Sequence, residues 1–370
     1  MNPNRADDGP TARMQSFVET TVMNTTWQWK MNRLRLASMV AALAIASSVT
    51  AARADQRPVP VMDRPVPIIL DTDIQTDVDD VGAVAVAHAL ADRGEAELLA
   101  MGVSVTNPWS ALCLNAINTY FGRPELPIGM VRGEGYRRDS RYARQIAENF
   151  PRSIESAEEV PDAAALYRRI LAAQPDARVV MVSVGQVTNF RNLLQSGPDD
   201  YSPLDGRELV SRKVRLWVCM GGRFPSGREY NLHIDASASA SAIEHWPTPI
   251  VFSGWEIGNR IRTGRGLREA AESSPVRRAY ELYNQISDRQ SWDQAAVLYA
   301  VRGTAGRIDD HWQLAGPGRV TVDPGDGRNR WQDDRDGRHW HKIEALPPSV
   351  VAAEIESLML HQPIAGCRNP

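Results

Sequence analysis

The stretch PVPIILDTDIQTDVDDVGAVAVAHA, residues 65–89, constrains this chain more than any other. Residues 66–70 are a short run rich in branched side chains, entered through Pro65 and Pro67, and read as a strand buried on both faces. Asp71, Asp73, Asp77, Asp79 and Asp80 follow, with no Lys or Arg until Arg93. Like charges at this density repel unless something positive sits between them. A solvated acidic turn is the simple account, but residues 82–87 are small and apolar, so the helix that begins near Asp79 or Asp80 is a buried one. Carboxylates at its N-terminus cap free N–H groups and face the crevice where α/β sheets take their ligands. No soft donor stands among them, which suits a hard, oxygen-seeking ion such as Ca²⁺ or Mg²⁺.

The remaining chain supplies the cadence of an open, mostly parallel, Rossmann-like α/β sheet flanked by helices. Strands are expected at residues 96–105, 126–130, 177–183, 215–220 and 249–252, and helices at 111–121, 163–173 and 236–245. Residues 132–160 are polar and uneven, with arginines at 137, 138, 141 and 144, and read as a surface excursion near the site. Residues 256–288 read as helical, 318–342 as hairpins and 348–360 as a closing helix. Several strand ends carry groups able to meet a ligand. Asn107 closes one, where it either reaches a ligand or caps the next helix. The loop VGQVTNF, residues 184–190, offers a tight turn with free carbonyls. Gly221 and Gly222 end another strand, where backbone approaches something closely. Glu229, Asn231, His233 and Asp235 alternate and would form a polar comb on one side of an extended segment. Asp293 is a lone carboxylate at or near the cap of an apolar helix, residues 294–301.

The chain has 370 residues, 43% hydrophobic and 24% charged, at formal net charge −3, an ordinary globular composition. No basic stretch interleaved with aromatics is present, so a nucleic-acid partner is not expected. In residues 31–54, Arg33 and Arg35 precede an apolar run that ends at Ala52-Arg53-Ala54, the pattern of a cleaved signal peptide. The apolar run is short for a membrane span, so an exported protein, periplasmic or secreted, is expected, with no stable membrane insertion after cleavage. Residues 1–30 read as a disordered extension or a misassigned start before Met31. Residues 60–360 show no repeat or biased linker and read as one domain. Cys113 and Cys219 fall in apolar patterns and Cys367 in a polar tail, without the spacing of a disulfide scaffold or a zinc site.

Together these residues resemble the calcium-dependent nucleoside hydrolases, the inosine-uridine preferring N-ribohydrolase family, over roughly residues 66–360. The specific part is DTDxxxDxDD at 71–80, running from strand into small apolar helix. VGxxTN at 184–189, EYNLHID at 229–235 and WDxxAV at 292–297 support it. A haloacid dehalogenase phosphatase would need Thr or Val at Gln75, and an EF-hand would need Gly at Thr76 and Glu at Gly82. The resemblance implies a Ca²⁺ ion held by Asp73, Asp79, Asp80, Asp293 and the Thr188 carbonyl. It makes Asp73 the general base, places Asp79, Glu229 and Asn231 on the ribose, and leaves Asp77 between loop support and an indirect contact with the site. Trp292 stands where many members carry a histidine that protonates the leaving base; an indole stacks on a base but supplies no proton. The implied substrate is a small nucleoside or ribosyl compound, and the implied reaction is hydrolysis of its N-glycosidic bond to ribose and base. A homo-oligomer agrees with the resemblance. The competing reading is a catalytically impaired, metal-stabilised module of the same fold that binds a sugar or a protein.

Overall fold

Every residue of the first strand, β1 (Val66–Thr72), is buried, and parallel neighbours flank it on both edges: β2 (Ala96–Val103) and, across a reversal of strand order, β4 (Val179–Ser183). β3 (Ile128–Met130) lies outside β2, while β5 (Val214–Met220) and β7 (Ile250–Ser253) continue beyond β4. The sheet therefore runs β3-β2-β1-β4-β5-β7 in parallel. This is a computed structural model, and it describes residues 59–133, 135–306 and 311–364. Residues 1–54, with the expected signal peptide, and Cys367 lie outside the described residues. Among those described, no helix is long and apolar enough to cross a membrane.

The residues expected to form hairpins near the C-terminus enlarge the main sheet. β12 (His339–Glu344) joins β7 in parallel. β10 (Trp312–Val322), β11 (Arg328–Asp333) and β6 (Ser226–Arg228) then extend it antiparallel, giving this sheet ten strands among the described residues. Lys342 of β12 is buried, donates to the Ala295 carbonyl at 2.9 Å and lies 3.7 Å from the Trp312 ring centroid. It thereby ties the sheet to the helix Trp292–Leu298.

Two expectations are corrected. Residues 256–288 are not continuously helical. The chain makes helix Trp255–Arg260, strand β8 (Arg262–Thr263), a 3₁₀ turn Arg265–Glu269 and helix Pro275–Asn284. Gly264 at φ 120° and Pro275 at a helix start break the run, and β8 pairs with β9 (Arg289–Gln290). Residues 229–235 are not extended either: Glu229 caps the short helix Tyr230–Ile234 by accepting from the Asn231 and Leu232 N–H groups. Satisfying those free donors stabilises helix over strand. Within residues 132–160 the helix Ala143–Asn149 forms because Ala143, Ile146 and Ala147 bury against the core.

On the far side of β1 from β2, Trp217 packs 4.8 Å from Trp246 and 5.0 Å from Phe190 between ring centroids, and its indole N–H donates to the Ser183 hydroxyl at 2.8 Å. Truncation to Trp217→Ala is expected to cost about 3–5 kcal/mol in urea-melting experiments.

Candidate functional site

β1 ends at Thr72, and the next carboxylate, Asp73, stands at the carboxyl edge of the sheet beside the β1–β4 reversal, where open α/β sheets place their ligands. Helix Asp79–Asp92 then starts with Asp79 and Asp80 in its first turn and no side-chain cap from Val78. This helix is buried nearly all round, so its first turn is held at the sheet edge rather than in solvent. Asp293, in the first turn of helix Trp292–Leu298, meets it there: ligand oxygens of Asp79, Asp80 and Asp293 lie within 4.8 Å of one another. The Asp293 N–H donates to Asp79 Oδ2 at 3.4 Å, and the Thr72 hydroxyl donates to Asp80 Oδ1.

All three carboxyls are buried. Burial pushes each of them well above the usual carboxylate range; Asp77 then adds to the shift at Asp79, Asp73 and Asp79 to that at Asp80, and Asp79 and Asp80 to that at Asp293. Asp73 accepts from the Gln186 side-chain amide at 2.7 Å, and burial raises its carboxyl to about 6. Behind it, Asp71 accepts from the Tyr167 hydroxyl and from Asn189 Nδ2 at 2.8 Å, with burial raising it to about 7. Among the described residues no Lys, Arg or His forms an ion pair with Asp79, Asp80 or Asp293. Three buried, unneutralised carboxylates offering only oxygen fit a hard divalent cation.

Asp77 behaves differently. Arg289 Nε donates to it at 2.9 Å in a two-pronged ion pair. Burial acts to raise this carboxyl, yet the Arg289 hydrogen bonds and charge outweigh it and hold it below its ordinary value. Asp77 Oδ1 also accepts from the Val78 N–H at 2.8 Å, so Asp77 supports the loop through a residue 212 positions away.

A cavity of about 300 Å³ opens over the cluster. Asp73, Asp79, Asp80 and Asp293 line it, and so do Glu229, Asn231 and Trp292 from other strand ends. Glu229 follows Gly222, whose φ of 82° turns the chain back after β5. Its carboxylate accepts from three backbone N–H groups, those of Gly222 at 3.2 Å, Asn231 at 2.9 Å and Leu232 at 3.2 Å, while burial raises it to about 7. The Asn231 amide donates to the Val184 and Met220 carbonyls at 3.1 and 3.2 Å. Trp292 donates its indole N–H to the Trp255 carbonyl at 2.7 Å, and the two rings lie 6.4 Å apart.

Thr188, whose backbone carbonyl is the expected ligand, opens helix Thr188–Gln195, and its hydroxyl donates to Asp235 Oδ2 at 2.7 Å. One expected substrate-binding residue, Asn107, is not among the described residues lining this cavity. Asn107 caps helix Pro108–Tyr120, accepting from the Trp109 N–H at 3.1 Å and donating to the Arg138 carbonyl at 3.1 Å. Capping is the alternative its position allowed. His233 points elsewhere too, to Arg228 and the Asp326 carbonyl. Conversely, Arg289, Tyr230 and Trp255 line the cavity without having been singled out. Trp255 follows the Gly254 that ends β7, a signal of the kind seen after β5; Arg289 has no local signal at all.

One glycine fixes the position of Asp73. A Cβ at Gly185 would stand 2.6 Å from Asp73 Cβ and 2.7 Å from its backbone nitrogen. Gly185→Ala is expected to destabilise by about 1–3 kcal/mol, read as a fall in the midpoint of thermal melting.

The family model for inosine-uridine preferring nucleoside hydrolase matches residues 68–346. Among solved structures, a plant nucleoside hydrolase aligns with TM-score 0.59 at 16% identity, over 80% of this chain and 98% of its own. An inosine-uridine preferring nucleoside hydrolase from Bacillus anthracis gives 0.59 at 14% identity, with the same two coverages of 80% and 98%. The type III effector protein XopQ complexed with adenosine diphosphate ribose gives 0.58 at 17% identity, over 84% and 96%. At such identities these likenesses show the fold. No curated protein matches the sequence. Since the family model runs from within β1 to just past β12, the chain belongs to the inosine-uridine preferring nucleoside hydrolase family.

Proposed function

We propose that this protein is a Ca²⁺-dependent hydrolase of the N-glycosidic bond of ribonucleosides or related ribosyl compounds, releasing ribose and a base. The observation that carries the reading is the meeting, in one cavity, of the Asp79–Asp80–Asp293 oxygen cluster with Asp73, Glu229 and Asn231. A structure of the same fold was solved with adenosine diphosphate ribose, which supports a ribosyl class wider than nucleosides alone.

Asp79, Asp80 and Asp293 would hold the ion, with Asp73 beside them. When bound, the cation lowers the pKa of a water molecule and sets it against the sugar. The remaining chemistry belongs to the chain. Gln186 holds Asp73 in one orientation, so its carboxylate accepts the proton of the attacking water as general base. Departure of the base leaves oxocarbenium-like positive charge on the ribose, and the surrounding carboxylates stabilise that charge without reorganising. Asn231 and Glu229 bind ribose hydroxyls, each already oriented by backbone groups. Trp292 and Trp255 form an apolar wall for the base.

A second reading, a metal-stabilised binding module, draws support from one observation: no histidine is among the described residues lining the cavity. Reducing-sugar release from a nucleoside panel, with and without chelator, separates the two. Hydrolysis predicts ribose that vanishes on chelation and returns with Ca²⁺. Tight Ca²⁺ binding by calorimetry with no ribose from any compound would favour the binding module. Export is proposed on residues 31–54 alone, and N-terminal sequencing of the mature protein tests it.

A further inference from the structure

The cavity holds one guanidinium that the mechanism above leaves unused. Arg289 lines it, with Cζ 5.1 Å from the centroid of the Trp292 ring, the surface assigned to the leaving base. Its backbone is fixed by the β8–β9 pairing, Thr263 against Arg289, directly before the helix that carries Asp293. Its side chain is fixed as well: Asp77 takes Nε and Nη2, and Gln290 Oε1 accepts from Nη1 at 2.7 Å. A guanidinium has five N–H donors. Three are used in these contacts, and the other two have no partner among the described residues.

We propose that Arg289 is a catalytic residue that stabilises the departing base as an anion, in place of an acid that would protonate it. This rests on the hydrolytic reading above. The C1′–N bond breaks with its electron pair passing to the base, whose negative charge accepts hydrogen bonds from the free Arg289 N–H groups. The water oxygen bonds to C1′, and its proton passes to Asp73. After release the base anion takes a proton from solvent and Asp73 returns its own, so one water is added across the bond. The guanidinium keeps its proton throughout, since arginine does not titrate in the working range. Preorganised donors need no net charge for this role; neutral backbone amides serve in oxyanion holes. The ion pair with Asp77 therefore orients the group without cancelling it.

The test is a leaving-group series: aryl ribosides of graded phenol acidity, with uridine as the poor leaving group, on the Ca²⁺-loaded full chain. Arg289→Gln is expected to lose about 100-fold in kcat/KM on the poorest leaving group, with the loss shrinking steadily toward 4-nitrophenyl riboside. Arg289→Lys, which keeps charge and donors but not the fork, should recover part of it. A purely structural role would lower all substrates equally, so a uniform loss overturns the proposal, as does no loss. Should Arg289→Gln fail to fold, the wild-type pH profile decides. Departure without an acid predicts no alkaline limb that depends on the leaving group, and such a limb with uridine overturns the proposal. If the wild type releases ribose from no member of the series, the hydrolytic reading fails, and this inference with it; hydrolysis with uniform loss removes this inference alone.

Discussion

Asp73→Asn is expected to lower ribose release by about 10²–10⁴-fold even at saturating Ca²⁺, with a smaller loss in Ca²⁺ affinity. The separation follows from geometry. Asp79, Asp80 and Asp293 form the mutually close oxygen cluster, and Asp73, which reaches Asp80, is held by Gln186 at 2.7 Å on the wall of the same cavity. The substituted amide keeps the shape and can no longer take a proton. Steady-state rates with saturating Ca²⁺, together with a calorimetric Ca²⁺ titration, check both halves. Activity within a few fold of wild type would remove Asp73 as the base.

Asp80→Asn should act in opposite directions with and without metal. In the metal-free protein it is expected to raise the melting temperature, because folding holds this carboxyl against ionisation and the amide carries no such cost. With Ca²⁺ it should lower it, because stabilisation by a bound ligand scales with affinity and one charged donor is gone. The buried carboxyl behind Asp73 sets a pH dependence. Asp71, with its carboxyl raised from 3.8 to about 7, binds a proton in the folded state that the unfolded chain has already released. The resulting destabilisation is absent below pH 3.8, grows as pH rises and is complete above about 7. Metal-free protein should therefore melt at lower temperature at pH 8 than at pH 5, and Ca²⁺ should flatten the difference. Melting curves at both pH values, with and without Ca²⁺, test this; equal metal-free midpoints would contradict it.

The strand, acidic turn and buried helix at residues 65–89 were legible because three local signals agree: branched apolar residues, unneutralised carboxylates and a run of small side chains. Asp293 was legible for a related reason, a single carboxylate before an apolar helix. Asp77 was not, because its partner Arg289 lies 212 residues away and neither position carries a local cue. Alternation at 229–235 suggested a strand, yet Glu229 satisfies two free N–H groups and the segment turns helical. That change keeps Glu229 and Asn231 at the cavity and sends His233 to Arg228 and the Asp326 carbonyl. Asn107 starts a helix, and capping its first turn took its side chain away from the cavity. Periodicity over 256–288 concealed breaks that depend on Gly264 and Pro275.

The central claim is that an ion held by Asp79, Asp80 and Asp293 is required for ribosyl hydrolysis in the cavity above it. The most direct measurement is ribose release as a function of free Ca²⁺, set beside the calorimetric binding isotherm, for wild type and Asp293→Ala. The account predicts that half-maximal release coincides with the binding midpoint in the wild type, and that both move to higher Ca²⁺ together in the variant. Release that survives complete chelation, or that stays put while the binding midpoint moves, would contradict it.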